Sequence, residues 1–478
     1  MGCRFLALAL FVFLHNPCPA QTPFGGQQEV HAVRGQLAVV DLDMDGDLDL
    51  ISTADLEDKV RWLENLGGDP LNWGVHIIDP DFNWAGSPVG IDLDQDGLLD
   101  VLACSWGNDE IAWYRNLGGT PPLWQKYLVP NTSNEPHSVC AADLDGDGDL
   151  DLAVASERDD RVSWFQNDGS DPPVWTELVI TTTADGANLV LHSDLDGDGD
   201  QDLVVLSYWG DSLDWFENDG NAPPAWTPRN VSPSLNGPSG LEVIDLDLDG
   251  DLDLITTSLW DDKVMWFESD GGSPPVWTEH LISTELTKPA DLFAEDMDLD
   301  GDFDLVHSSD GRRVDWYESD GIPPFTWTMR TVARPIGHPY SPKAGDLDGD
   351  GDFDLVFSTH QVDETLWVEN RLGDPFLENF SPGIANQDNS IFIAGMTPDA
   401  RVALVWSPVS GSYAVSQCSG LFLDLGLPQV PRIYQADANG NVSAVEWIPN
   451  KASTKFLFFQ ALDFSACQTS GLLIQRFQ

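Results

Sequence analysis

The sequence repeats one acidic motif at a nearly constant interval. The pattern D-x-D-x-D-G-x-x-D occurs seven times, and its first aspartates are Asp41, Asp92, Asp143, Asp194, Asp245, Asp296 and Asp346. Five successive steps are 51 residues long and the last is 50. A constant period of this size is typical of repeat architectures, in which each repeat is one supersecondary unit. The chain is therefore predicted to fold as an array of seven similar units.

Each unit contains four short segments of β type. Residues 35–40 precede the motif in unit one, and the alternating segment LDLIS at 48–52 follows it. The third segment contains a tryptophan, as in residues 214–218, and the fourth follows a Gly/Pro turn and a second tryptophan, as in 175–180. Such lengths and alternation predict a four-stranded antiparallel meander. Because one meander cannot bury its faces alone, we predict an all-β, seven-bladed β-propeller.

The ends of the array are predicted to pair with each other. The chain has seven first, second and third segments but only six fourth segments, because the seventh unit runs into a different sequence pattern after Trp367. Residues 27–33 (QQEVHAV) precede the first unit and resemble residues 73–78 (WGVHII), a fourth segment. We predict that this N-terminal strand completes the last blade, which closes the ring and leaves no unpaired sheet edge.

Two series of tryptophans recur with the period and are predicted to pack within and between blades. The first series is Trp62, Trp113, Trp164, Trp215, Trp266, Trp316 and Trp367. The second is Trp73, Trp124, Trp175, Trp226, Trp277 and Trp327.

The termini differ from the repeat array. Residues 1–20 contain Arg4, an apolar run from Phe5 to Leu14 and small residues before Gln21, which predicts a secretory signal peptide cleaved after Ala20. Lipid attachment at Cys18 would need small residues before it, and His15-Asn16-Pro17 supplies none. Residues 21–374 are predicted to form the propeller, and 375–478 a small all-β domain of β-sandwich type. We expect a secreted protein at the cell surface or in the extracellular medium.

Charge and cysteine content restrict the partners and the redox state. The formal net charge of −58 disfavours nucleic acid and anionic membrane surfaces as partners, and no later segment is long and apolar enough to span a bilayer. Cys104 and Cys140 lie in apolar repeat segments and are predicted to be buried thiols. Export to an oxidising compartment makes a disulfide between Cys418 and Cys467 the expectation for the C-terminal domain.

The motif provides oxygen ligands for a hard cation. Carboxylates at motif positions 1, 3, 5 and 9 suit calcium, which takes six to eight oxygens. An EF-hand needs glutamate at position 12, whereas the chain has Ser52, Ala103, Val154, Val205, Thr256, His307 and Phe357 there. Position 9 is therefore predicted to close the cage in a β-hairpin. Unit two has Leu98 at position 7, which indicates that the residue at this position binds the cation through its backbone carbonyl and needs no side-chain oxygen.

We expect about seven structural calcium ions, one in each loop. The alternative is a solvated acidic hairpin without metal, in which the carboxylates would repel each other strongly. The predicted ligands are Asp41, Asp43, Asp45 and Asp49; Asp92, Asp94, Asp96 and Asp100; Asp143, Asp145, Asp147 and Asp151; Asp194, Asp196, Asp198 and Asp202; Asp245, Asp247, Asp249 and Asp253; Asp296, Asp298, Asp300 and Asp304; and Asp346, Asp348, Asp350 and Asp354.

The motif followed by a strand, as at Asp143 to Asp151 (DLDGDGDLD), resembles the FG-GAP-like (VCBS) repeats of secreted bacterial proteins and the calcium-binding blades of integrin alpha-chain propellers. The resemblance covers roughly residues 27 to 373. It implies a seven-bladed propeller with calcium between the first and second strands of each blade. It also implies that ligands bind at the loops of the opposite end.

The loops at that opposite end contain aromatic residues that the two tryptophan series do not include. The candidate ligand residues are Trp84, Trp106, Tyr208, Trp209, Trp260, Tyr340 and His360, with His338 nearby in the chain. Aromatic rings stack on sugar C–H faces, and neighbouring Asn108, Asp109, Asp211 and Asp261 could bond hydroxyl groups. The alternative interpretation is that these rings pack on one another around the central channel.

Two functions are compatible with these features. The first is a calcium-stabilised binding or adhesion module for an extracellular glycan or protein, which we expect to be a monomer. The second is a polysaccharide lyase or hydrolase built on the propeller. The first is favoured because the sequence has no G-x-S-x-G or H-E-x-x-H motif and no local acid–base signature.

Overall fold

A computed structural model describes residues 24–31, 34–54, 57–68, 70–321, 323 and 325–370, and the backbone of ten strands between residues 376 and 476. The predicted signal peptide and the pair Cys418 and Cys467 lie outside the described residues. The described part contains 38 strands and no helix. Consequently no described helix is long and apolar enough to cross a membrane.

The N-terminal strand is β1 (Gln27–His31). Blade one contains β2 (Gln36–Val40), β3 (Asp49–Ala54), β4 (Lys59–Asn65) and β5 (Trp73–Asp79). Blade two contains β6 (Ala85–Ile91), β7 (Asp100–Ser105), β8 (Glu110–Asn116) and β9 (Trp124–Val129). Blade three contains β10 (Pro136–Ala142), β11 (Asp151–Ser156), β12 (Arg161–Gln166) and β13 (Thr176–Thr181). Blade four contains β14 (Ala187–Ser193), β15 (Asp202–Ser207), β16 (Ser212–Glu217) and β17 (Thr227–Ser232).

Blade five contains β18 (Pro238–Ile244), β19 (Asp253–Ser258), β20 (Lys263–Glu268) and β21 (Thr278–Ser283). Blade six contains β22 (Pro289–Glu295), β23 (Asp304–Ser309), β24 (Arg313–Glu318) and β25 (Thr328–Ala333). Blade seven contains β26 (His338–Gly345), β27 (Asp354–His360) and β28 (Glu364–Val368). Each blade is one four-stranded antiparallel sheet, and the fourth strand of blade seven is β1. The predicted all-β, seven-bladed propeller is confirmed.

The N-terminal strand closes the ring, as predicted. Strand β1 pairs antiparallel with β28, with Gln27 opposite Val368 and Glu29 opposite Leu366. The side chain of Val30 is only 8% exposed and belongs to a hydrophobic cluster that contains Trp367. The last blade is therefore built from both ends of the array.

The hydrophobic core lies between the blades. Seven clusters each combine side chains from two neighbouring blades; one, for example, joins Trp215 of blade four to Leu241 of blade five. The cluster that joins blade seven to blade one includes Trp367 and Leu37. Because neighbours cover both faces of each blade, all six residues of the second strand are buried in blades one to six. Alternation alone would have left one face of these strands solvated.

The two tryptophan series have the predicted packing role. Every member of the first series is buried, with side chains no more than 3% exposed. Each member of the second series is half-buried and packs against one of the clusters between blades. A tryptophan buries roughly 150–250 Å², so the first series is a large part of the apolar area that holds the ring together.

The chain after blade seven contributes ten further strands. They are β29 (Phe376–Leu377), β30 (Asp388–Ala394), β31 (Arg401–Ser407), β32 (Ser410–Ala414), β33 (Phe422–Leu425), β34 (Arg432–Gln435), β35 (Val442–Trp447), β36 (Phe456–Asp463), β37 (Gln468–Thr469) and β38 (Leu473–Arg476). Strand β31 pairs with β34 and β36, and β30 pairs with β29 and β35, all antiparallel. The β-sandwich arrangement of this region stays a prediction.

Candidate functional site

The acidic motifs form the hairpins between the first and second strands of the blades. In blade one the Asp41 carboxylate accepts hydrogen bonds from the backbone N–H of Asp45 (3.1 Å) and of Gly46 (3.0 Å). The Asp45 carboxylate accepts one from the backbone N–H of Asp47 at 3.0 Å. The same three bonds recur in blades two to six. Gly46 has a φ of 103°, a left-handed conformation that explains why position 6 is glycine.

The carboxylates at motif positions 1, 3 and 5 converge. In blade one, Asp41, Asp43 and Asp45 each place one carboxylate oxygen within 4.8 Å of the others. The corresponding groups in the next four blades are Asp92, Asp94 and Asp96; Asp143, Asp145 and Asp147; Asp194, Asp196 and Asp198; and Asp245, Asp247 and Asp249. In blades six and seven, burial and a neighbouring aspartate raise the pKa of Asp298 to about 6 and that of Asp348 to about 7.

One oxygen at motif position 3 is buried without a hydrogen-bond partner in several loops. Within the described part of the chain this holds for Oδ1 of Asp43, Asp145, Asp196 and Asp298. A buried carboxylate oxygen without a partner costs free energy that a bound cation would remove. The donor set contains only oxygen, which matches calcium rather than zinc or other thiophilic ions.

Motif position 9 has a structural role that the sequence prediction did not include. Asp100 in blade two is fully buried and lies outside the group formed by positions 1, 3 and 5. Its carboxylate accepts hydrogen bonds from the backbone N–H of Leu93 (3.2 Å) and Asn116 (2.7 Å) and from the indole N–H of Trp113 (2.9 Å). Burial raises the pKa of Asp100 to about 6. Its predicted role as the closing calcium ligand stays a prediction.

The two backbone bonds are common to all seven blades. Each acceptor bonds the backbone N–H of motif position 2 and that of a residue at the end of the third strand or up to two positions after it. The acceptors are Asp49, Asp100, Asp151, Asp202, Asp253, Asp304 and Asp354. The second donor residue is Asn or Ser in every blade. The sequence marks this interaction by the polar residue that recurs after each tryptophan of the first series. Position 9 thus ties the acidic hairpin to the third strand.

Replacing Asp100 by alanine is expected to destabilise the protein by about 3 kcal/mol or more. The change leaves three buried N–H donors without an acceptor, and each such group costs about 1–3 kcal/mol. Chemical denaturation with calcium in excess measures the loss. The exposed Asp81→Ala is the control and should change the free energy of unfolding by less than about 0.5 kcal/mol. Equal stability of the two variants would contradict the structural role of position 9.

The predicted ligand residues all lie at the opposite end of the ring. This end, which we call the distal rim, is formed by the connections between second and third strands and between one blade and the next. Trp84, Trp209 and Trp260 are 55%, 60% and 51% exposed. The remaining four, Trp106, Tyr208, Tyr340 and His360, are half-buried.

Several of these rings pack on a neighbouring aromatic ring, as the alternative interpretation predicted; the ligand role of the set stays a prediction. Trp106 stacks on His137 with ring centroids 4.1 Å apart, and Tyr340 stacks on His360 at 4.0 Å, so these rings pack on a neighbour. Trp209 instead meets Tyr208 edge to face at 4.7 Å.

Three aromatic side chains lie next to one another across blades four and five, with Tyr208 between the two indoles. The Tyr208 hydroxyl faces the indole N–H of Trp260. The ammonium of Lys288 lies 5.0 Å from the centre of the Trp260 ring, and the indole N–H of Trp209 donates to Glu157 at 2.9 Å. We call Tyr208, Trp209 and Trp260 the aromatic platform. It has an acidic group at one end and a basic group at the other.

Several acidic residues of the distal rim connect the blades. Asp109 accepts a hydrogen bond from the backbone N–H of Glu135 at 2.8 Å, and Asp211 accepts one from Gly237 at 2.9 Å. Asp58, Asp160 and Asp262 make the same bond to the blade that follows each of them. Of the four predicted hydroxyl partners, Asn108 lies 3.4 Å from the side-chain nitrogen of Asn83, and Asp261 bonds Ser258 and Lys263. All four therefore already have partners within the protein.

Comparison with known proteins identifies the repeat and the fold. No curated protein sequence matches the chain. The solved structure of BBS1N in complex with ARL6DN, soaked with mercury, has a TM-score of 0.51 and 12% identity, covering 73% of this chain and 98% of that chain. The lead-soaked structure of that complex has a TM-score of 0.50 and 12% identity, and the match covers 73% of this chain and 98% of that chain. A lectin of Agrocybe aegerita that recognises non-reducing terminal N-acetylglucosamine has a TM-score of 0.47 and 14% identity. That match covers 69% of this chain and 86% of the lectin chain.

Similarities at this level of identity show the propeller fold alone. The match to a sequence family is more specific, because it falls on the acidic hairpins and the strands around them. The FG-GAP-like repeat matches residues 41–103, 92–154, 194–256 and 296–357. The chain belongs to the FG-GAP-like repeat family.

Proposed function

We propose that this protein is a secreted binding module in which calcium stabilises the propeller and the distal rim binds an extracellular glycan. The observation that supports the glycan site is the exposure of Trp209 and Trp260, at 60% and 51%, within one aromatic platform. A folded monomer gains stability by burying such rings, so their exposure on neighbouring blades favours a ligand. The sugar's C–H faces would stack on the two indoles, and its hydroxyl groups would bond Glu157.

In this proposal calcium does not contact the ligand. The metal hairpins and the aromatic platform lie at opposite ends of the blades, because the connection after a first strand and the connection after a second strand emerge from opposite sheet edges. Calcium would neutralise the converging carboxylates at positions 1, 3 and 5 and hold each hairpin closed. Export of the protein is proposed from the signal-like residues 1–20.

A glycan array tests the ligand site, with the best-binding glycan then titrated in solution. Trp209→Ala and Trp260→Ala are each expected to weaken binding about tenfold, because a stacked aromatic contact contributes about 1–2 kcal/mol. Trp84→Ala is the matched control, since Trp84 is equally exposed on the distal rim but outside the aromatic platform. Equal binding by Trp209→Ala and the unmodified protein would contradict the proposal. Turnover of a uronic-acid polymer, measured by ultraviolet absorbance, would instead establish a lyase.

A further inference from the structure

The first strands of the seven blades surround a central cavity of about 500 Å³. About half of its wall is apolar, with side chains such as Leu37, Val89, Val139 and Leu189, and the other half is polar. Sites for small molecules are typically concave and mostly apolar, measure roughly 300–1,000 Å³, and contain a few polar groups that orient the ligand. The size of this cavity falls within that range, and its wall contains more polar groups than is typical of such sites.

Charged side chains occur on one part of the wall. Glu242 on β18, Asp291 on β22 and Lys343 on β26 line the cavity from three consecutive blades. Glu242 and Lys343 each lie three residues before the first aspartate of the acidic motif in their blade. Asp291 lies five residues before the first aspartate of its motif. Blades one to four have neutral residues at both positions: Ala38, Val89, Cys140 and Leu191 at the first, and Gln36, Ser87, Ser138 and Leu189 at the second.

The charged groups of the cavity do not satisfy one another. Among the described residues, neither the Glu242 carboxylate nor the Lys343 ammonium has a hydrogen-bond or ion-pair partner. Asp291 accepts only the backbone N–H of Leu292, at 3.0 Å. Burial raises the pKa of Glu242 to about 7; the attraction of Lys343 opposes this, and the repulsion of Asp291 and Glu295 adds to it. An ionised Glu242 therefore costs stability, which is the expected behaviour of a residue retained for binding.

Two further residues of the cavity wall each have a buried polar atom without a partner. The indole nitrogen of Trp106 and the side-chain oxygen of Asn188 are buried and unpaired within the described part of the chain, and both residues line the cavity. One is a donor and the other an acceptor. Stacking on His137 fixes the Trp106 ring in place at the distal rim. Leaving such groups unsatisfied costs free energy, but both atoms are buried within the wall, so a ligand in the cavity would pack beside these side chains and not bond these two atoms.

We propose that the central cavity binds a small organic amine, with its ammonium group between Glu242 and Asp291 and its body along the apolar wall towards Trp106 and Asn188. Two carboxylates face one ammonium, so one negative charge is left for the ligand to compensate. The net charge of −58 also favours the entry of cations.

Calorimetric titration with tyramine, putrescine and spermidine at pH 8 in excess calcium tests this site. The neutral analogue of tyramine, 4-(2-hydroxyethyl)phenol, has the same ring and a hydroxyl group in place of the ammonium. We expect at least one amine to bind, with Glu242→Gln and Asp291→Asn each weakening its binding at least tenfold. For tyramine, the neutral analogue should bind at least tenfold more weakly. Asp171→Asn, an exposed carboxylate outside the cavity, should leave the affinity unchanged.

Several results would overturn the proposal. They are the absence of binding by all three amines, equal binding of tyramine and its neutral analogue, and full affinity in Glu242→Gln. Thermal unfolding of Glu242→Gln separates a binding role from a structural one. A structural pair with Lys343 would make this variant less stable at pH 8, whereas the proposal predicts an equal or higher Tm, because ionised Glu242 costs stability above its raised pKa. Trp209→Ala should bind the amine normally, which distinguishes this site from the glycan site.

Discussion

Removing calcium with a chelator is expected to lower the Tm of this protein by more than about 10 °C. A ligand bound only by the folded state contributes about 2.7 kcal/mol at 100 times its Kd, and the chain has seven candidate loops. In a large domain each kcal/mol corresponds to roughly 2–4 °C. Differential scanning calorimetry with and without chelator measures the change. Adding excess calcium back should restore the original Tm, and magnesium should restore less of it.

The effect of calcium is expected to depend on pH. Burial raises the pKa of Asp298 to about 6 and that of Asp348 to about 7, above the usual value near 4. A raised pKa in the folded state means that the metal-free protein loses stability as the pH rises from about 4 to 7. Calcium compensates for these ionised groups, so the difference in Tm should be larger at pH 8 than at pH 5. A chelator that leaves the Tm unchanged at pH 8 would contradict a structural role for the metal.

Deleting the N-terminal strand is expected to be as damaging as removing calcium. A chain that begins at Arg34 lacks β1, so the edge of β28 is unpaired and the cluster around Trp367 loses Val30. Burial of one such side chain contributes about 1.5–3 kcal/mol, and the lost backbone pairing adds to this. We expect a loss of at least about 3 kcal/mol in the free energy of unfolding, together with aggregation through the exposed edge. Urea denaturation and light scattering measure the two effects.

A synthetic peptide provides the control for this deletion. Residues 24–34 added in trans should pair with β28 and raise the Tm of the truncated protein, since strand addition to a free edge uses the same backbone hydrogen bonds. The same peptide with Val30→Asp should not, because it would place a charge in the cluster around Trp367. If the truncated protein is as stable as the full chain, closure by β1 does not hold the ring together.

The fold could be predicted because the repeat supplies seven aligned copies of the same pattern. The motif period gave the number of blades, and the missing fourth segment identified residues 27–33 as its replacement. Burial was less predictable, because alternation in a single strand describes one sheet and not its neighbours. The second strands are buried on both faces because neighbouring blades cover them.

The candidate sites were predictable where the chemistry lies within one loop. Positions 1, 3 and 5 of the motif converge as their spacing indicated. The hydrogen bonds of Asp100 to Asn116 and Trp113 join segments that are 13 to 16 residues apart, and those of the rim aspartates join neighbouring blades. Glu242, Asp291 and Lys343 come together only when the ring closes around its axis, and no local pattern in the sequence marks them.

We propose that the seven hairpins are calcium sites that stabilise the scaffold. Metal analysis of protein dialysed against a small excess of calcium counts the bound ions, and we expect about seven per chain. Asp43→Ala, which removes a buried carboxylate with an unpaired oxygen, should lower the count by one. Asp47→Leu, which copies the Leu98 of blade two, should leave the count unchanged. A count near zero, or the same count in Asp43→Ala as in the unmodified protein, would mean that the hairpins do not hold calcium.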